Sequence, residues 1–238
     1  MQQLPKEFIG RMVRTVLFIG LVAACCAGVA TFGMLVASKF NLTTSRNQVP
    51  LTSVKIEGGK VLIPENGKTT REAGWTLRNS RGQYILTLDE MEAGSLDTAE
   101  PVIEVEGDLI LQLKKDTVSH LESQGPVIKK GTGTLTIRGE GSLELESASG
   151  NAVCSDWNGG ELDADHPSAV RLEGGNLTFT GLEFGIVDET VELAGAQGTI
   201  TAACASGAAV KTAHIKREGS NSDKLELIGN KAVVVPES

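Results

Sequence analysis

The chain has 238 residues, a formal net charge of −8, 28 glycines, 40% hydrophobic residues and only 4% aromatic residues. This length allows one domain with a core of Val, Leu, Ile and Ala, plus an appendage. The acidic balance argues against a protein that binds nucleic acid or anionic lipid, because phosphate recognition depends on Lys and Arg.

The appendage comes first, as an uncharged segment over residues 15–37 that is rich in Val, Leu, Ala, Phe and Gly. As a helix it is long enough to cross a hydrocarbon core about 30 Å thick. Lys6, Arg11 and Arg14 precede it against one acid, which favours a cytoplasmic N-terminus. We therefore expect a cytoplasmic tail over residues 1–14, a single transmembrane helix over 15–37 and an extracytoplasmic remainder.

A second interpretation of this segment stays open. The run Val22-Ala23-Ala24-Cys25 resembles the bacterial lipoprotein cleavage motif, in which the cysteine is lipidated. However, residues 26–37 stay apolar, and the apolar core of a signal peptide spans only about 7–15 residues. An uncleaved anchor is favoured. Both routes attach the domain to the cell membrane outside the cytoplasm.

Charge and composition change after the anchor. Residues 38–53 are polar and include Pro50, which is typical of a spacer. The following domain, residues 54–238, carries most of the acidic excess. We assign residues 54–95 to an N-terminal cap and first coil, because open solenoid ends invite edge-to-edge pairing.

Two hairpins are predicted within this cap. One turns at Gly58-Gly59, and the other turns around Gly82. The second hairpin is expected to place Trp75 opposite Tyr84, with both rings packing the cap.

The centre of the chain shows short strands with a period of two. Leu135 and Ile137, and then Leu143 and Leu145, alternate with polar residues, so each pair lies on one face. A small or apolar residue followed by valine recurs along the sequence at intervals of 17 to 26 residues. The recurring valines are Val102, Val127, Val153, Val170, Val187, Val210 and Val233. This period predicts an all-β, right-handed parallel β-helix of about seven coils.

The pattern also resembles a known family. Its residues are Gly74-Trp75-Thr76 to Leu86-Thr87-Leu88, then Val105 to Leu111, then Gly131 to Leu143. They are similar to the right-handed β-helix module known as a carbohydrate-binding domain in exported, membrane-anchored bacterial proteins. The resemblance covers about residues 74–210. It implies binding of acidic or cell-wall polysaccharide, with calcium in some members, and it transfers no individual binding residue.

An irregular acidic loop after Cys154 is the candidate ligand site. The predicted ligand-binding residues are Asp156, Trp157, Asn158, Asp163, Asp165 and His166. An indole face can stack on a sugar ring, and closely spaced oxygens can hold Ca²⁺. If calcium binds, Asp156, Asp163 and Asp165 are its ligands. The spacing fails the EF-hand pattern, so a solvated acidic loop without a cofactor is favoured over a calcium site.

Catalysis has weaker support. Asp188 and Glu189 are candidate partners for Asp163 or Asp165 across neighbouring coils, but acids at coil corners are usually solvated. The histidines show no metal-binding spacing. Cys154 and Cys204 are interpreted as two small buried hydrophobes rather than as a disulfide, because at least two coils separate them.

The sequence thus predicts a membrane-anchored extracytoplasmic β-helix that binds cell-wall or extracellular polysaccharide without catalysis. The alternative is a structural subunit of a cell-envelope protein assembly. A membrane-tethered polysaccharide lyase or hydrolase is the third hypothesis. The partners expected are therefore the membrane, a polysaccharide or envelope proteins, and no nucleic acid.

Overall fold

The structure is a computed structural model, and it describes residues 48–157, 167–194, 198–204, 210–217, 225–228 and 233–234. The predicted tail and anchor, residues 1–37, lie outside the described residues. Within the described part of the chain, no helix is long and apolar enough to cross a membrane. The compact unit that holds the strands begins at Gln48.

Short strands separated by turns make up the described residues. In chain order they are β1 (Ser53–Ile56), β2 (Thr69–Glu72), β3 (Trp75–Ser80), β4 (Gln83–Leu88), β5 (Glu92–Ser95), β6 (Ile103–Glu106), β7 (Leu109–Leu113), β8 (Val118–Ser123), β9 (Ile128–Lys130), β10 (Gly133–Gly139), β11 (Ser142–Ser147), β12 (Val153–Ser155), β13 (Ser168–Leu172), β14 (Asn176–Gly181), β15 (Ile186–Val187), β16 (Thr190–Leu193), β17 (Gly198–Cys204), β18 (Val210–Thr212), β19 (His214–Arg217), β20 (Leu225–Ile228) and β21 (Val233–Val234).

The strands form three sheets, and every third strand returns to the same sheet. Sheet 1 has the order β1-β6-β9-β12-β15-β18-β21, sheet 2 the order β19-β16-β13-β10-β7-β4-β3-β2, and sheet 3 the order β20-β17-β14-β11-β8-β5. From β4 onward, neighbours within each sheet pair in parallel. The chain is therefore an all-β solenoid with stacked parallel sheets, as the sequence pattern predicted.

The strands from β4 to β15 make about four turns, and β16–β21 add two further strands to each sheet, so the described strands fall short of the predicted seven coils. The valine count was misleading because the valines do not occupy equivalent positions. Val153 pairs with Ile186 in sheet 1, whereas Val187 pairs with Cys154 on the other face, and Val170 lies in sheet 2. The sequence between the end of β12 at Ser155 and the start of β13 at Ser168 lengthens this coil and shifts the sequence period.

The core consists of aliphatic ladders on the inner faces of the sheets. Leu135 and Ile137 in sheet 2, and Leu143 and Leu145 in sheet 3, are all buried, which confirms the predicted alternation. Their partners in register on the next coil include Val170, Leu172, Leu177 and Phe179. Aligned residues of one ladder lie about one strand spacing of 4.8 Å apart, so the same apolar contact is repeated on each turn.

The N-terminal end has antiparallel pairing. The hairpin of β3 and β4 turns at Arg81 and Gly82, which both have positive φ, and this confirms the hairpin predicted around Gly82. The prediction for its aromatic residues was wrong, because Trp75 pairs with Leu88 and Tyr84 pairs with Asn79. Trp75 is nevertheless buried in the core.

The predicted hairpin at Gly58-Gly59 does not form. β1 pairs antiparallel with β6 of sheet 1, and the part of the chain between residues 57 and 68 forms turns rather than a second strand. The chain before β1 continues along the same neighbour, because the Thr52 N–H donates to the Glu106 carbonyl at 2.9 Å. Residues 48–52 therefore form a strap across the first coil.

Candidate functional site

The structure places only two of the predicted ligand-binding residues. Asp156 is exposed, and its Oδ1 lies 3.8 Å from Lys129 Nζ. Trp157 is half-buried, and its backbone N–H donates to Ser155 Oγ at 3.2 Å. Four predicted residues lie outside the described residues: Asn158, Asp163, Asp165 and His166. The acidic loop therefore stays a prediction.

The predicted calcium ligands are likewise described only in part. Asp163 and Asp165 lie outside the described residues, so only Asp156 can be placed. Among the described residues, no group of three or more His, Cys, Asp or Glu side chains is arranged to hold a metal ion.

A groove of about 470 Å³ lies where the strap crosses the outer face of sheet 2. Its lining is formed by the strap, the β3–β4 turn and the first strands of sheet 2. The lining residues are Gln48, Val49, Pro50, Leu51, Gly82, Gln83, Tyr84, Asp108, Leu109, Ile110, Thr134 and Thr136. Its volume falls within the range of about 300–1,000 Å³ that is usual for small-ligand sites.

The Asp108 side chain connects the strap to sheet 2 at this groove. Its Oδ2 accepts the Val49 N–H of the strap at 3.1 Å, and its Oδ1 accepts the Thr134 N–H of β10 at 2.8 Å. The Asp108 N–H in turn donates to the Val49 carbonyl at 3.0 Å. Because both carboxylate oxygens accept backbone donors, the polar groups left to a ligand are mainly the amides of Gln48 and Gln83 and the hydroxyls of the Thr and Tyr side chains.

A row of polar side chains runs through the solenoid core on the inner face of sheet 1. Lys130 in β9, Ser155 in β12, Asp188 after β15 and Thr212 in β18 are all buried. Lys130 pairs with Ser155 in register, and Val187 pairs with Lys211, which aligns Asp188 with Thr212 on the next coil. These four successive coils thus place one polar residue each at the same corner of an otherwise aliphatic core, whereas β6 has Val105 at that register position.

Ser168, the first residue of β13, joins this row from sheet 2. Lys130 Nζ donates to Ser168 Oγ at 2.5 Å and lies 3.0 Å from Asp188 Oδ2. The Ser168 hydroxyl donates to Asp188 Oδ1 at 2.7 Å. The side chains of Lys130 and Asp188 are 1% and 0% exposed. We call these three residues the buried triad.

Burial and two neighbouring groups act on the pKa of the Asp188 carboxyl. Burial raises the pKa of the Asp188 carboxyl above its usual value, and the Lys130 charge and the Ser168 hydroxyl oppose this effect. The Glu189 side chain is also buried, and its Oε2 accepts the Ser168 N–H at 2.9 Å. The expectation that Asp188 and Glu189 are solvated corner acids was therefore wrong. Asp188 faces inward because it lies two residues after the buried Ile186, and both acidic side chains are shielded from solvent.

Cys154 lies on the outer face of sheet 1, in register with Lys129 and Val187. Its thiol is free and only half-buried, which corrects the expectation of a buried hydrophobe. The side chain of Cys204 lies outside the described residues, so their predicted lack of a disulfide is not tested.

Burial raises the pKa of the Cys154 thiol, and the nearby Asp156 charge adds to this effect. Since the thiolate is the reactive form, we expect Cys154 to alkylate more slowly with iodoacetamide at neutral pH than an unfolded-chain cysteine does. Peptide mass spectrometry of native and urea-unfolded protein measures this difference. Equal rates in the two states would contradict it.

The architecture defines the chain as a β-solenoid protein with a groove at its N-terminal end and a charged triad in its core. Comparison with models of known protein families, with curated proteins and with solved structures gave no match.

Proposed function

We propose that this protein is a membrane-anchored, extracytoplasmic β-solenoid module that binds polysaccharide in the groove between the strap and sheet 2. The anchor is the apolar segment 15–37, and the coil is right-handed, as in about 98% of parallel strand crossovers. The observation that carries the proposal is the composition of the groove, which combines amide and hydroxyl side chains with the partly exposed ring of Tyr84.

Sugar rings present hydroxyl groups at their edges and apolar C–H faces. Amides and hydroxyls pair with the former, and an aromatic ring packs against the latter. The one carboxylate that lines the groove, Asp108, is engaged by backbone donors on both oxygens. A saccharide chain without dense negative charge therefore fits this groove better than an anionic polymer does.

The surface charge supports the same ligand class. On the outer face of sheet 3, His120 lies 3.6 Å from Glu122 and 3.5 Å from Glu144, and Glu92 is its neighbour in register. The domain after residue 46 also carries 29 acids against 17 Lys and Arg residues. Such a surface repels anionic polymers.

We expect Thr136→Val to weaken saccharide binding by about 2- to 10-fold, because one neutral hydrogen bond contributes about 0.5–1.5 kcal/mol. Valine has nearly the shape of threonine, so the strand is preserved. The measurement is titration of the full chain with a saccharide selected on a glycan array. Thr178→Val is the matched control, since Thr178 has similar exposure on sheet 3, away from the groove.

The array is run with calcium and again with a chelator. Binding in the groove is expected to be independent of calcium. Binding that disappears with the chelator would move the site to the acidic loop after Cys154. The absence of binding in both conditions would reject glycans as the ligand class. The hypothesis of a structural subunit in an envelope assembly would then be favoured.

A further inference from the structure

We propose that Lys130 and Asp188 become joined by a side-chain amide, an isopeptide bond that forms inside the folded solenoid without another enzyme. The bond would link β9 to the residue after β15, across the intervening strand β12. This modification is independent of the groove and of any ligand bound there.

The two reacting groups are already in contact. Lys130 Nζ lies 3.0 Å from Asp188 Oδ2, an oxygen bonded to the carbon that the amine attacks. Among the described residues, Asp188 Oδ2 is the buried side-chain oxygen or nitrogen atom that lacks a hydrogen bond of good geometry. The amine therefore approaches the carboxyl without forming a well-oriented hydrogen bond to Oδ2. This oxygen is thus able to leave Cγ in the reaction. Holding the amine and the carboxyl in contact supplies much of the effective concentration that amide formation needs.

The surroundings exclude water. Leu135, Val153 and Ile186 in the adjoining strands are 0–1% exposed, and Ser155, between Lys130 and Asp188, is 5% exposed. In water, amide formation from an amine and a carboxylate is opposed because both groups are charged and hydrated. In the core both groups have already lost their hydration, so this opposition to the reaction is removed.

The reaction balances without an oxidant or a cofactor. Transfer of one proton converts the Lys130 ammonium and Asp188 carboxylate into an amine and a carboxylic acid. The Nζ lone pair forms a bond to Cγ, and the resulting tetrahedral centre loses one hydroxyl. That hydroxyl takes a proton from Nζ and leaves as water. The products are one amide and one water molecule, with no net change of charge.

Ser168 is placed to relay these protons. Its hydroxyl accepts from Lys130 Nζ at 2.5 Å and donates to Asp188 Oδ1 at 2.7 Å. A proton leaving Nζ can pass to Ser168 Oγ while the hydroxyl proton moves to the carboxyl. The Asp188 carboxyl also has a raised pKa because of burial, which favours the protonated acid that loses water.

Peptide mapping of the natively purified full chain tests the proposal. After denaturation and digestion, we expect one branched species whose mass equals the Lys130 and Asp188 peptides together minus one water. Fragmentation should locate the link at these two side chains. Recovery of both residues only in separate linear peptides would overturn the proposal, and this outcome does not depend on how any variant folds.

Variants then identify the reacting groups. Lys130→Met is expected to abolish the branched species, whereas Lys129→Met, on the exposed face of the same strand, should retain it. A branched species that persists in Lys130→Met would overturn the assignment. Ser168→Ala is expected to lower the linked fraction at a fixed time after refolding. A linked fraction equal to that of the unaltered chain would reject the relay role of Ser168.

Discussion

Replacing Lys130 with methionine is expected to lower the free energy of unfolding by about 3–5 kcal/mol, because it leaves the buried Asp188 carboxyl without its cation. The Lys130 side chain is 1% exposed and that of Asp188 is fully buried, so solvent cannot replace the lost partner. Urea unfolding of the full chain, followed by circular dichroism, measures the change. Lys129→Met removes an exposed charge from the same strand and should change stability by less than about 0.5 kcal/mol.

The double variant Lys130→Met/Asp188→Val separates an ion pair from a covalent link. If the residues form only an ion pair, two apolar replacements should restore most of the lost stability, because the cost of burying two charges is removed as well. If they form an amide, the double variant also loses the constraint on the unfolded chain, worth about 4 kcal/mol for a loop of this length. Stability close to that of the unaltered chain would therefore argue against the link.

Much of the solenoid could be predicted from alternation alone. The inward positions of Leu135, Ile137, Leu143 and Leu145 follow from a period of two, and the structure confirms them. The coil count could not be predicted in the same way. A valine indicates a strand but not its face or sheet, so Val170 and Val187 were counted as equivalent although they lie in different sheets. The register depends on contacts between coils, and it cannot be predicted from the sequence where the spacing between strands changes, as it does between β12 and β13.

The inward position of two members of the buried triad, Lys130 and Asp188, could have been predicted from the alternation of the sequence. Ile128 faces the core, Lys129 faces outward, and Lys130 must then face inward. The same step of two leads from Ile186 to Asp188. By contrast, no local pattern brings Ser168 to this corner, because it lies in another sheet, 38 residues after Lys130. The groove was missed for a similar reason, since residues 48–52 have the composition of a spacer, whereas their docking depends on long-range hydrogen bonds and on the burial of Leu51.

The strap gives the second large expected effect, because its docking depends on the absence of a side chain at Gly107. Gly107 has φ +102, and a Cβ there would lie 2.2 Å from the Pro50 carbonyl oxygen and 2.6 Å from Leu51 Cα. Both contacts are with backbone, so no rotation of a side chain relieves them. We expect Gly107→Ala to displace the strap, at a cost of about 1–3 kcal/mol for the strained backbone alone.

The displaced strap should abolish saccharide binding, because Val49 and Pro50 form one wall of the groove. Hydrogen exchange provides a readout that needs no ligand, since the Val49 and Thr52 amides donate to Asp108 Oδ2 and the Glu106 carbonyl. Both amides should lose protection in Gly107→Ala. Gly67→Ala is the matched control, because Gly67 also has positive φ but a Cβ there meets nothing within 4 Å. Retained protection at Thr52 in Gly107→Ala, with stability equal to that of the control, would show that the strap accommodates a side chain at this position.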